Sequence, residues 1–94
     1  MDLVEEIKKD ILSQKKVVKM LKSLKMKDLP IVHFSIGMYI RNKYIWSNES
    51  NFQKLSQYYK LYTADEISSK IIKEIYLQVN KIDNIIFLDQ EDNQ

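Results

Sequence analysis

Apolar residues recur along this chain at helical spacing. Leu3, Ile7 and Ile11 stand four apart with Val4 beside them, which puts one stripe on a helix over residues 2–12. Asp2 stands where an N-cap belongs, and Glu5 and Glu6 suit the positive end of the helix. Val17, Val18, Leu21 and Leu24, with Met20 at the margin, make a second stripe over about 13–24. The lysines of that stretch fall mainly on its other side. Residues 2–24 can also be read as one longer helix, with only "LSQKK" suggesting a break. Asp28 is placed to cap a third helix with Pro30 in its first turn, where a missing amide costs nothing. The run Ile31–Ile40 is apolar on nearly every side, the pattern of a central helix. Its β-branched residues also permit a strand, but its length and cap favour a helix.

"NKYIWSNESN", residues 42–51, is polar and reads as a loop. Asn48 or Ser50 then caps a tyrosine-rich helix over about 50–60. Thr63 and Glu66 in "TADE" form a capping box, the strongest local signal in the chain. It opens a fifth helix with Ile67, Ile71, Ile72, Ile75, Tyr76 and Val79 on one face, ending near Asn80. Residues 82–90, "IDNIIFLDQ", read as a short helix or a strand-like arm, and 89–94 as a frayed tail. The expected fold is all-α: a compact bundle of four to five short helices forming one domain over 1–94. Within it, 1–27 is a basic helical region and 28–80 holds the unusual residues.

Composition agrees with a folded helical chain. Its 94 residues include ten aromatics but one Gly and one Pro, too few turn residues for a sandwich or barrel. Without cysteine there is no disulfide framework, thiolate metal site or cysteine nucleophile. The N-terminus lacks the apolar core of a signal peptide, and no run approaches a membrane span. A cytoplasmic protein without membrane contact is expected, since small secreted domains often need disulfide staples.

Charge changes the picture more. Residues 1–47 carry ten basic and five acidic side chains, and residues 48–94 carry five and eight. The halves are therefore +5 and −3. Such asymmetry can steer a partner, or the two ends can neutralise one another. Lys15, Lys16, Lys19, Lys22, Lys25 and Lys27 form a run without an acid. They lack the interleaved aromatics and arginines of a nucleic-acid site, so a solvated helix face is the preferred reading.

The chain's one Pro, His, Gly, Arg and Trp all lie in "DLPIVHFSIGMYIRNKYIW", residues 28–46. His33, Gly37 and Arg41 are four apart and share a helical ridge. A glycine inside a helix costs ~1 kcal/mol against alanine. It implies either close packing by a second helix or the Trp46 ring, or a notch flanked by imidazole and guanidinium. The single Arg41 among fourteen lysines suggests a need for planar, bidentate bonding. Its partner is an internal carboxylate, Asp65 or Glu66, or an acidic group on another molecule. His33 is a general base by type, but no neighbouring carboxylate or nucleophile is evident in the sequence, so a hydrogen-bonded core role is preferred. No acidic cluster has metal-ligand spacing, and no cofactor motif is present. Trp46 with Tyr39, Tyr44, Tyr58, Tyr59 and Tyr62 suits an interface and a core equally.

These residues resemble a family of small bacterial domains of unknown function. The shared pattern is His-Phe-x-x-Gly-x-x-Ile-Arg-Asn followed by Trp, matched here by His33, Phe34, Gly37, Ile40, Arg41, Asn42 and Trp46. A looser Pro-Asp-Asp-x-Ser-like segment is approximated by Asp65, Glu66 and Ser68, with Ala64 in place of proline. The resemblance covers about 28–80 and implies a helical domain but no activity. It suggests that Arg41 and Asn42 act together, Asn42 capping the third helix and Arg41 reaching Asp65 or Glu66. Three functions are open. The leading one is a non-catalytic protein-binding module, such as an immunity protein or antitoxin-like inhibitor. The second is a small anionic-ligand or enzymatic site around His33, Arg41, Asn42 and Trp46, and the third is nucleic-acid binding through the lysine run. A tyrosine-rich surface would also support a homodimer.

Overall fold

In the computed structural model, residues 2–80 are described. Helix α1 (Leu3–Leu12) begins where Asp2 accepts a hydrogen bond from the Val4 amide at 3.1 Å and buries Val4, Ile7 and Ile11. Helix α2 (Lys15–Ser23) is separate from it. The break falls at Ser13 and Gln14, where the Ser13 hydroxyl bonds the Asp10 carbonyl and Gln14 turns extended. Of the α2 stripe only Leu21 is fully buried, while Val17, Val18, Met20 and Leu24 pack at the core's edge.

The region after α2 departs from expectation. In place of one central helix, a 3-10 segment covers Met26–Phe34, and a short helix α3 follows over Ile36–Ile40. Asp28 is inside the 3-10 segment and its amide bonds the Lys25 carbonyl, so it is not an N-cap. Pro30 supplies no amide to an α-helical ladder. Ser35 breaks the run with φ −108° and ψ −77°, and its hydroxyl bonds the Val32 carbonyl in competition with the helix. The apolar run is therefore not central. Val32, Ile36 and Ile40 are buried, but Ile31, Phe34, Met38 and Tyr39 are exposed.

The expected loop over 42–51 is shorter than the sequence suggests. The chain continues from α3 into a π-helical turn, Arg41–Ile45. Its wider turn carries Arg41, Tyr44 and Ile45 inward together. The third helix consequently does not end at Asn42. That residue is exposed within the π turn, with no side-chain hydrogen bond among the described residues. Only Trp46 and Ser47 form a turn before Asn48 caps helix α4 (Glu49–Tyr59) through the Asn51 amide.

Helix α5 (Ala64–Val79) organises the molecule, packing against every other element. Its expected face is observed: Ile67, Ile71, Ile72, Ile75, Tyr76 and Val79 are all buried. At its start the Thr63 hydroxyl accepts from the Glu66 amide at 3.1 Å. Glu66 meets the same hydroxyl through its carboxylate at 3.1 Å, closing the expected cap. At its far end Tyr76 donates to the Leu24 carbonyl at 2.7 Å and Asn80 to the Leu21 carbonyl at 3.2 Å, fixing α5 to the end of α2. Glu74 joins three helices, accepting from Tyr59 at 2.9 Å and pairing with Lys8 at 3.0 Å. Among the described residues there is no strand. The expected arm and tail over 82–94 lie outside the described residues.

The cap gives a direct test. Thr63→Ala removes the acceptor for the first turn of α5 and is expected to cost about 1 kcal/mol, read as a lower midpoint with unchanged slope in urea unfolding.

Candidate functional site

Arg41 stands on the first residue of the π turn and is only 6% exposed. Its guanidinium points across α3 at the N-terminal half of α5. Nη1 donates to Ser68 Oγ at 2.9 Å and Nη2 to the His33 carbonyl at 3.2 Å. Ser68, fully buried, passes its own proton to the Asp65 carbonyl at 3.1 Å. Nε lies 3.4 Å from Asp65 Oδ1 but makes no hydrogen bond. The Asp65 side chain is 76% exposed, so this ion pair contributes little. Of the two expected carboxylates, Asp65 approaches Arg41 and Glu66 is committed to the Thr63 cap. The stronger partners are neutral, a serine hydroxyl and a backbone carbonyl. The Trp46 ring covers the guanidinium, with 5.6 Å from its carbon to the ring centroid, a cation–π contact.

Gly37 follows from this arrangement. A Cβ there would sit 2.9 Å from Arg41 Nη1 and 3.6 Å from Ile72 Cδ1. The arginine one turn further on claims that space, with Ile72 of the second helix α5 in ordinary contact beside it, and Trp46 is not among the nearest atoms. The notch is filled by the guanidinium that was expected to flank it.

His33 is half-buried. Its Nε2 lies in hydrogen-bond contact with Ser69 Oγ. Ser69 also donates to the Asp65 carbonyl at 2.8 Å. The sequence offered no neighbour for His33 because Ser69 is 36 residues away. A cleft of about 260 Å³ opens beside this pair, between the 3-10 segment and α5. His33 lines it, but Arg41, Asn42 and Trp46 do not. The four residues grouped as a small-ligand site therefore do not converge on one hollow.

A second polar cluster, unforeseen from sequence, ties α1 to the α3–π segment. Asp10 Oδ2 accepts from Tyr39 at 2.9 Å, from Lys43 at 2.9 Å and from Tyr44, and Oδ1 accepts from Gln14 at 3.2 Å. Lys43 also donates to the Tyr39 hydroxyl at 3.1 Å, with its ammonium 5.4 Å from both tyrosine ring centroids. Burial alone would raise the Asp10 carboxyl. The bonds from Tyr44, Lys43, Tyr39 and Gln14 outweigh it and hold the pKa at about 2, below its ordinary 3.8. Burial, then the bond to Asp10, pushes the Tyr44 phenol up to about 12. The bond to Asp10 likewise raises Lys43. The only advance signal was the spacing of Tyr39, Lys43 and Tyr44 on one helical face; the acid they share lies about thirty residues earlier.

Lys15, Lys16, Lys19 and Lys22 are exposed along α2, and Lys25 and Lys27 follow it, also exposed. Three of them, Lys15, Lys19 and Lys22, rim a shallow groove floored by Leu12 and Val18. Among the described residues no three His, Cys, Asp or Glu are grouped to hold a metal ion. No helix among them is long and apolar enough to cross a membrane.

A small helical domain whose rare polar side chains are bonded to serines of α5 and to backbone is the class that fold and site define. Over residues 4–78 the chain matches a domain of unknown function, DUF6794, and it belongs to that family. Comparison with curated proteins and with solved structures finds no match.

Two substitutions test this geometry. Gly37→Ala is expected to cost about 1–3 kcal/mol, because the guanidinium must leave its bonded position. In an Arg41→Ala background the same change should be neutral or favourable, since alanine is the better helix former by ~1 kcal/mol. Urea unfolding of the four chains gives the coupling directly. The Asp10 carboxylate is depressed, so it stabilises the fold above its ordinary pKa and loses that effect as pH falls from about 4 to about 2. Asp10→Asn should be less stable than the parent by about 1–3 kcal/mol at neutral pH. The gap should close toward pH 2 in unfolding curves taken across that range.

Proposed function

We propose that this domain is a non-catalytic protein-binding module, in its specific form an inhibitor of the immunity or antitoxin kind acting in the cytoplasm. The observation that carries the reading is the set of exposed apolar residues on the 3-10 segment and α3. Ile31 is 67% exposed, Phe34 81% and Met38 43%. Residues three apart in a 3-10 turn eclipse one another, so Ile31 and Phe34 present one ridge, and Met38 on α3 is exposed as well. Large apolar side chains grouped on a surface are a mark of protein contact. The backbone beneath them is held by Arg41, which binds the His33 carbonyl next to Phe34. A ridge fixed in advance loses little freedom on docking. Trp46, Tyr58 and Tyr62, also exposed, add aromatic anchors of the type found at binding hot spots. The uneven charge of the two halves would steer such an encounter.

The anionic-ligand reading around His33, Arg41, Asn42 and Trp46 has less support, because two of the Arg41 nitrogens already bond the protein and Asn42 faces solvent elsewhere. The nucleic-acid reading rests on the α2 lysines alone.

The test compares capture from native lysate by the parent chain with capture by Ile31→Ser and Phe34→Ser, whose exposed positions should leave stability within about 0.5 kcal/mol. The parent is expected to retain a stoichiometric protein, and each variant to bind it about tenfold more weakly or worse. No stoichiometric partner, or equal capture by all three chains, would reject the reading.

A further inference from the structure

The cleft between the 3-10 segment and α5 carries polar groups that the fold does not fully use. Its floor is apolar: Met26, Leu29 and Pro30 come from the 3-10 segment and Ile72 from α5. Its polar side is made by His33, Ser69 and Lys73. Ser69 and Lys73 stand four apart on α5 and so share a face. Lys73 has no ion-pair partner among the described residues, and no acid lines the cleft. Lys8 and Lys43, by contrast, are each held by a carboxylate.

We infer that this cleft binds a small carboxylate carrying an apolar chain, the carboxylate at Lys73 and His33 and the chain over Met26, Leu29, Pro30 and Ile72. Charge decides the head group: an ammonium with no competing acid among the described residues selects an anion. The imidazole is held in place beside it by its contact with Ser69. The floor decides the rest, since four apolar side chains favour an alkyl group over a sugar or a base. The cavity of about 260 Å³ lies just below the ~300 Å³ at which typical ligand sites begin, which limits the buried part of the occupant to one short alkyl group. The groove of Leu12, Lys15, Val18, Lys19 and Lys22 is also cationic, but its lysines are solvated on an open helix face. Nothing among the described residues holds them as Ser69 holds His33. The inference does not depend on the protein-binding reading, because the floor residues of the cleft are distinct from the exposed ridge.

Such a carboxylate can be a free acid or the C-terminus of a peptide ending in an apolar residue. The test is an amide-shift titration of the parent chain by nuclear magnetic resonance. Its probes are sodium hexanoate, hexanol, and the peptide Ala-Ala-Leu with a free or amidated C-terminus. Saturable shifts at Leu29, His33, Ser69 and Lys73 are expected with hexanoate or the free peptide, and the tighter of the two identifies the source. Hexanol and the amidated peptide should bind about tenfold more weakly or worse, as loss of a charge-assisted bond implies. Lys73→Met keeps the fold, being exposed, and should weaken the acid probes to the same degree. His33→Gln should also weaken them while its dispersed spectrum reports an intact fold. Saturable shifts with neither acid, binding of hexanol as tight as hexanoate, or an unchanged Lys73→Met titration would overturn the inference.

Discussion

A buried guanidinium is costly to place, and here it dictates its surroundings. Arg41 cannot lose its charge, so each N–H taken from water needs an acceptor or pays for its absence. Ser68 and the His33 carbonyl supply two. Both stand on other elements, α5 and the 3-10 segment, so satisfying one side chain fixes three pieces of chain relative to one another. Gly37 gives the guanidinium room, and Trp46 covers it. Asp65 lowers the electrostatic cost from the solvent side without a hydrogen bond. Lysine could not replace it, because a single ammonium cannot reach in two directions in a plane.

Asp10 plays the corresponding part on the other side of α3. Its carboxylate collects two phenols, an ammonium and an amide, and so pins the α3–π segment to α1 while Arg41 pins it to α5. The apolar core alone would leave this segment poorly specified. A 3-10 turn, five α-helical residues and a π turn form a weak ladder, and buried polar bonds tell such a chain where to stop sliding. Helix α5, with its core isoleucines, packs against every other element, and the two polar ties provide the register.

This division bears on function. Of the unusual residues in the 28–46 stretch, Arg41 and Gly37 are buried in the fold, His33 and Pro30 line a cleft, and Trp46 covers Arg41 while staying largely exposed. What the rigid segment offers outward is the ridge of Ile31 and Phe34, with Met38 exposed as well. An exposed apolar ridge and a small cleft are both features that recognition can use.

Periodicity and caps were enough to read α1, α4, α5, the all-helical class and the buried face of α5 from the sequence, because these depend on neighbours within one or two turns. The Thr63–Glu66 cap and the Asn48 cap are local for the same reason. The family pattern likewise pointed to Arg41, Gly37 and the start of α5 together. Tertiary structure alone decided the rest. That Ile31–Ile40 splits into 3-10 and α segments, and that Tyr44 and Ile45 turn inward on a π turn, depends on Arg41 reaching 27 residues ahead to Ser68 and on Asp10 meeting Tyr44 across 34. Local spacing carries no record of such pairings. Serine reads as a surface residue until a distant guanidinium makes it a core one, and an apolar run reads as central until polar bonds elsewhere hold half of it in water.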